Sequence, residues 1–144
     1  GELYKALRRE TVDAMQEGLS EQETVKQGFR KIWDNLIRFY IGNSRKFLFL
    51  EQFSYSPFSS EFSKKEDYQL MKPIFGFFNS AIRKEILKPL PIDVHIALSH
   101  GPIVSLVKMQ IHDRLTLTEE VMNNTFEACW EAASLPTNSI NQNQ

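Results

Sequence analysis

One cysteine, three histidines and no long apolar run are the scarcities of this 144-residue sequence, and each closes off a class of function. A single thiol, Cys129, can form neither an internal disulfide nor a multi-cysteine zinc site, and at an apolar helical position it reads as a small buried side chain in a reducing compartment. His95, His100 and His112 stand five and twelve residues apart, so no two share a helical face as a pair of metal ligands would. No metal or cofactor is expected. No apolar stretch approaches the roughly 20 residues that cross a bilayer, and no charged-then-apolar leader opens the chain, so a soluble cytoplasmic protein without membrane association is expected. With 17 basic and 18 acidic side chains the formal charge is -1, which gives this stretch no electrostatic grip on phosphates. The sequence also lacks a Gly-rich phosphate loop, a nucleophile elbow and a metalloprotease helix motif. Its carboxylates are spread over polar helix faces, and an enzyme is not expected.

Phenylalanine is what the chain has in abundance. Eleven of them supply most of a 12% aromatic content, and several crowd between Phe47 and Phe78, more than a core needs from one region. The 42% hydrophobic and 24% charged fractions are otherwise those of an ordinary globular domain, and this length can bury about 70% of the unfolded chain's surface.

The apolar periodicity is helical nearly throughout. Leu3, Leu7, Thr11 and Ala14 carry helical spacing from the first residues, with no capping residue in front, as in a chain that begins mid-helix. Gly18 offers a stop, and Ser20 with Glu23 has the spacing of a capping box that would open a second helix. In that helix Val25, Phe29, Ile32, Trp33, Leu36, Ile37 and Tyr40 form one wide stripe. After Gly42-Asn43-Ser44, the apolar stretch from Arg45 to about Ser54 could alternate as a strand. A lone strand among helices would leave its backbone unpaired, so a short helix is favoured.

Tyr55 to Phe62, with Pro57, reads as a loop. Ser63 with Glu66 repeats the capping spacing before a fourth helix reaching about Lys88, with Pro73 and Gly76 as bend points. Pro91 suits the first position of a fifth helix, Pro91 to His112, which Gly101-Pro102 should kink. Its apolar residues cover nearly the whole circumference, which demands burial on more than one side. Thr118 opens a sixth helix with the stripe Met122, Phe126, Cys129 and Ala133, flanked by Val121 and Trp130, and Pro136 closes it. The expectation is an all-α, six-helix antiparallel bundle over residues 1–136, followed by a polar, disordered tail at 137–144.

Several stretches, in this order, resemble the C-terminal region of TetR-family one-component regulators. They are the opening Gly1-Glu2-Leu3-Tyr4-Lys5-Ala6-Leu7, then Phe47-Leu48-Phe49-Leu50-Glu51-Gln52-Phe53 before a Ser-Pro loop, then Ile86-Leu87-Lys88-Pro89-Leu90-Pro91 and the closing Phe126-Glu127-Ala128-Cys129-Trp130-Glu131-Ala132. The resemblance implies a homodimer whose last two helices pair with their copies in a four-helix bundle. It also implies a small-molecule pocket among the middle helices, and operator DNA bound only through an N-terminal helix-turn-helix headpiece that this sequence does not contain.

Candidate residues follow from both lines of reading. Ala97, Gly101 and Ser105 recur every four residues as a small-residue ridge that would let another helix approach, and Val104 stands beside them. Met122, Phe126 and Trp130 of the last helix complete the expected dimer face, the alternative being a fifth helix central to a monomeric bundle. For the pocket the candidates are Trp33, Ile37, Tyr40, Phe49 and Phe53, with Phe62, Phe75, Phe78 and His100. Gln52, Tyr55 or Tyr68 could add a polar group. Such walls suit a hydrophobic or aromatic effector, although aromatics at helical spacing are also ordinary core. Arg8 and Arg9 would face the absent headpiece or its DNA, or simply solvent. The competing function is a helical interaction or lipid-binding module with no DNA role.

Overall fold

The computed structural model describes residues 2–54 and 64–136. Among these are six helices: α1 (Glu2–Gln16), α2 (Val25–Gly42), α3 (Ser44–Ser54), α4 (Lys64–Arg83), α5 (Ile92–Ile111) and α6 (Glu119–Ala133). The expected loop at Tyr55 to Phe62, the cap at Ser63 and the tail after Pro136 lie outside the described residues. The helix α2 is the hub of the bundle. Its wide apolar stripe is buried from Val25 to Tyr40, and it packs on α1, α3, α5 and α6.

Helix boundaries follow the backbone's need to satisfy its terminal groups. The second helix starts later than Ser20, because two capping boxes overlap here and the downstream one wins. The Thr24 hydroxyl accepts from the Gln27 amide at 3.1 Å, and the Gln27 side chain accepts from the Thr24 amide at 3.0 Å. Ser20 and Glu23 instead close a turn, in which the Ser20 amide donates to the Glu23 carboxylate at 2.6 Å and the Ser20 hydroxyl accepts from the Gln22 amide at 3.2 Å. Thr118 caps α6 through the Val121 amide at 3.1 Å. Pro91 is the N-cap of α5 rather than its first helical residue, and α5 remains one helix through Gly101 and Pro102.

The expectation that α4 reaches Lys88 is corrected. It ends at Arg83, and Ile86 and Leu87 turn back as extended chain against the end of α6. The Lys88 amide donates to the Ala133 carbonyl, and the Leu135 amide to the Ile86 carbonyl, both at 2.9 Å. Ile86 and Leu87 are fully buried there, and His95 binds the Lys88 carbonyl through Nε2 at 2.7 Å.

The reversal is set by Glu85 at φ 59, with the Ile86 amide donating to the Ala81 carbonyl and the Glu85 amide to that of Ile82. This bonding pattern favours glycine at the left-handed position. A non-glycine residue there costs about 1–2 kcal/mol, partly offset by glycine's larger entropy loss on folding. Glu85→Gly is therefore expected to stabilise the fold by about 0.5–1 kcal/mol, read as a higher midpoint in urea at unchanged slope.

Candidate ligand-binding site

The two faces of α5 differ. One face carries His95, Ile103 and Val107 into the core. The other leaves Ala97, Gly101 and Ser105 exposed, with Val94 at 41% and Met109 at 43% exposure. A helix apolar all round is thus covered on only one side by its own subunit.

Beneath the inner face lies a largely apolar cavity of about 150 Å³. Its walls come from α1 (Arg8, Thr11, Met15), α2 (Phe29, Ile32, Trp33, Leu36, Tyr40), α4 (Met71, Ile74, Phe78) and α5 (Ile96, Ser99, His100, Ile103). An apolar cavity of roughly this size takes one benzene-sized ring. The helix spacing explains the lining. In α2 the residues 29, 32, 33, 36 and 40 fall on one face, and Phe29 and Phe78 meet edge to face at 5.7 Å.

The polar groups at the cavity are few and mostly committed. The Tyr40 hydroxyl and His100 Nε2 are 3.1 Å apart. Burial pushes the Tyr40 pKa up to about 12, and burial likewise lowers that of His100, so the pair is a neutral hydrogen bond whose direction follows the imidazole tautomer. The Thr11 hydroxyl donates to the Leu7 carbonyl at 2.7 Å, and Ser99 to the His95 carbonyl at 3.0 Å. Arg8 donates through Nε and Nη2 to Oδ1 of Asp67 on α4, at 3.2 and 2.8 Å. Arg8 is half-buried and turned to the cavity and α4, not simply to solvent, and Arg9 is exposed. The Trp33 indole N–H makes no hydrogen bond among the described residues. Burial raises the Cys129 thiol pKa.

Because burial depresses the His100 pKa, the unfolded chain takes up its proton first as pH falls below about 6.5. The His100 contribution is therefore complete above pH 6.5 and is lost as pH falls from there through the folded-state pKa. His100→Gln is expected to flatten the dependence of stability on pH below about 6.5. Urea unfolding at several pH values checks this above the range where Glu23 and Glu119, held low by Lys31 and Arg38, begin to protonate.

Of the residues proposed for the pocket from sequence, Trp33, Tyr40, Phe78 and His100 line the cavity together. Ile37 is fully buried but is not among the lining residues. Phe49 and Phe53 stack on each other at 5.7 Å, and Phe53 on Tyr4 at 4.4 Å, away from the cavity lining. Phe75 packs on the exposed Tyr68, Gln52 is exposed, and Tyr55 and Phe62 lie outside the described residues. The aliphatic and α1 walls were missed, since Met15, Ile74 or Ile103 look like any other core position.

The candidate dimer residues also divide. Ala97, Gly101 and Ser105 are on the outward face of α5, with Val104 half-buried. Met122, Phe126 and Trp130 instead point inward, where Phe126 packs on Phe29 and Trp33 and Trp130 on Phe29. These three serve the subunit's own core, because the buried stripe of α6 is the one that meets α2.

The model of the family described as tetracyclin repressor-like, C-terminal domain, matches residues 24–134. The chain belongs to that family. Members of this TetR-like family are regulators and not enzymes. In fold the domain is similar to a TetR-family transcription regulator from Marinobacter aquaeolei VT8, with a TM-score of 0.83 at 18% identity over 91% of this chain and 69% of that one. It is also similar to a putative TetR-family regulator from Shewanella sp. PV-4, with a TM-score of 0.79 at 18% identity over 93% and 72%. For a TetR-family regulator from Haemophilus influenzae the TM-score is 0.77 at 18% identity over 93% and 70%. Among curated proteins none matches. Among the described residues no helix is long and apolar enough to cross a membrane.

Proposed function

We propose that this TetR-like domain binds a small hydrophobic or aromatic effector in the cavity between α1, α2, α4 and α5, and dimerises through the outward faces of α5 and α6. Operator DNA would be contacted by a headpiece outside this chain, and effector occupancy would release or alter that contact. The observation that carries the reading is the apolar cavity, because α1 forms one of its walls. A ligand that fits one arrangement of α1 better than another shifts their populations by its difference in affinity, and by nothing else.

Dimerisation has its own support in the uncovered apolar stripe Val94, Ala97, Gly101, Ser105 and Met109. On α6 the outward residues are Glu120, Asn124, Ala128 and Glu131, which fit the polar rim of such a contact. Symmetric pairing would bring each stripe against its copy.

Titration of the purified chain with phenol, toluene and indole, followed by thermal unfolding, tests the effector site. A ligand present at a hundred times its Kd stabilises by about 2.7 kcal/mol. At least one of the three is expected to do so, and Phe78→Trp, which fills the cavity, is expected to abolish it. Absence of any stabilisation by all three at millimolar concentration would refute the cavity as an effector site.

A further inference from the structure

We propose that the cavity's ligand is a compact aromatic carboxylate, and that its carboxylate exchanges with Asp67 for the Arg8 guanidinium, thereby unclasping α1 from α4. The inference rests on the cavity being the effector site and adds to it the charge of the ligand and the contact that responds.

Among the described residues that line the cavity, Arg8 is the only fully charged side chain. Its counter-charge lies outside the wall, on Asp67, which is 37% exposed in the first turn of α4. Both bonds from Arg8 reach a single oxygen, Asp67 Oδ1. A guanidinium has five N–H donors, so three remain for a second, planar acceptor, and a carboxylate matches that fork.

The exchange costs little on the Asp67 side. The released carboxylate, 37% exposed, keeps both water and the positive end of α4. On the ligand side the same pairing would form against apolar walls, where the interaction is stronger. Of the neutral wall groups, Thr11 and Ser99 donate to backbone carbonyls and Tyr40 and His100 bond each other, which leaves the Trp33 indole N–H as an open donor. Glu51, the acidic group whose field reaches Tyr40 and His100, is matched by Lys108 at 3.1 Å. An uncharged polar ligand therefore meets few open partners, while a carboxylate meets a cation with donors to spare. The remaining volume fits one ring, against Phe29, Trp33 and Phe78.

The same arginine joins two helices. Arg8 to Asp67 and Lys5 to Glu66, at 2.8 and 3.1 Å, are ion pairs between α1 and α4 among the described residues. A ligand that takes Arg8 releases the first of these, so occupancy of the cavity becomes a change in how α1 is held.

Isothermal titration with benzoate and its neutral isostere benzamide, at pH 7 on the full chain, tests the proposal. Benzoate is expected to bind at least tenfold more tightly than benzamide. Asp67→Asn, which removes the competing carboxylate, is expected to tighten benzoate several-fold and leave benzamide unchanged, and Arg8→Met to erase the preference. The Asp67 variant keeps the test decisive should Arg8→Met fail to fold. Equal or tighter binding of benzamide, or no response to Asp67→Asn, would overturn the charge assignment while leaving an apolar effector cavity in place. Binding of neither compound, nor of toluene, would remove both.

Discussion

On the proposed pairing through α5, replacing Gly101 with arginine is expected to leave folded single subunits. A Cβ built on Gly101 meets nothing within 4 Å in its own chain, so the subunit itself has no steric need for glycine there. Glycine inside a helix costs about 1 kcal/mol relative to a good helix former, and arginine is one. Within one subunit the substitution should be neutral or mildly stabilising. Across a helix–helix contact the reasoning reverses. Small residues at Ala97, Gly101 and Ser105 let a second α5 come close, and an arginine at the centre of that ridge both separates the helices and brings two like charges together. Dissociation should weaken the dimer by a factor on the order of 100 or more, about 2.7 kcal/mol. Sedimentation at micromolar concentration reads the mass, and circular dichroism checks that the helices survive. A Gly101→Arg protein that still sediments as a dimer would place the contact elsewhere.

Phe126→Ala is expected to act differently, by unfolding the subunit. Phe126 is 1% exposed and packs on Phe29 and Trp33, with the Arg30 guanidinium 4.7 Å from its ring. Removing a buried phenylalanine leaves a cavity that costs about 3–5 kcal/mol, a large part of the 5–15 kcal/mol by which domains are stable. The loss should appear in urea unfolding and persist in the Gly101→Arg background, because the two sites act on different interfaces. If Phe126→Ala instead dissociated the dimer with subunit stability unchanged, α6 would present the opposite face to its partner.

These two substitutions mark where the sequence was readable and where it was not. The one-sided stripes of α2 and α6 identify helices and buried faces from spacing alone. They do not say what covers each face, which is why Met122, Phe126 and Trp130 could be read as an outer surface. The all-round apolar pattern of α5 was more informative, since a helix of that kind needs cover on more than one side, and α2, α4 and α6 pack on α5 yet leave Val94, Ala97, Gly101, Ser105 and Met109 exposed. The end of α4 was illegible because Ile86 and Lys88, on either side of Leu87, are fixed by backbone bonds to Leu135 and Ala133, more than 40 residues along the chain. The start of α2 was ambiguous for a local reason, two capping sequences four residues apart. The cavity divided the aromatic candidates. Trp33, Tyr40, Phe78 and His100 share it, whereas Phe49 and Phe53 were drawn into a stack with Tyr4. The place of Arg8 at the cavity could not be read from sequence, because its partner Asp67 lies 59 residues away.

Pairing of two chains through the outer face of α5 is the central claim, and the methionines offer the most direct measurement of it. Met15, Met71 and Met122 are buried, and Met109 is 43% exposed on the face in question. Its rate of oxidation by dilute peroxide, followed by mass spectrometry across a dilution series, reports whether that face is covered. Slow oxidation at tens of micromolar that accelerates on dilution, and in Gly101→Arg at every concentration, is the expected result. Oxidation of Met109 as fast as in a free peptide at all concentrations, in the unmodified chain, would contradict it.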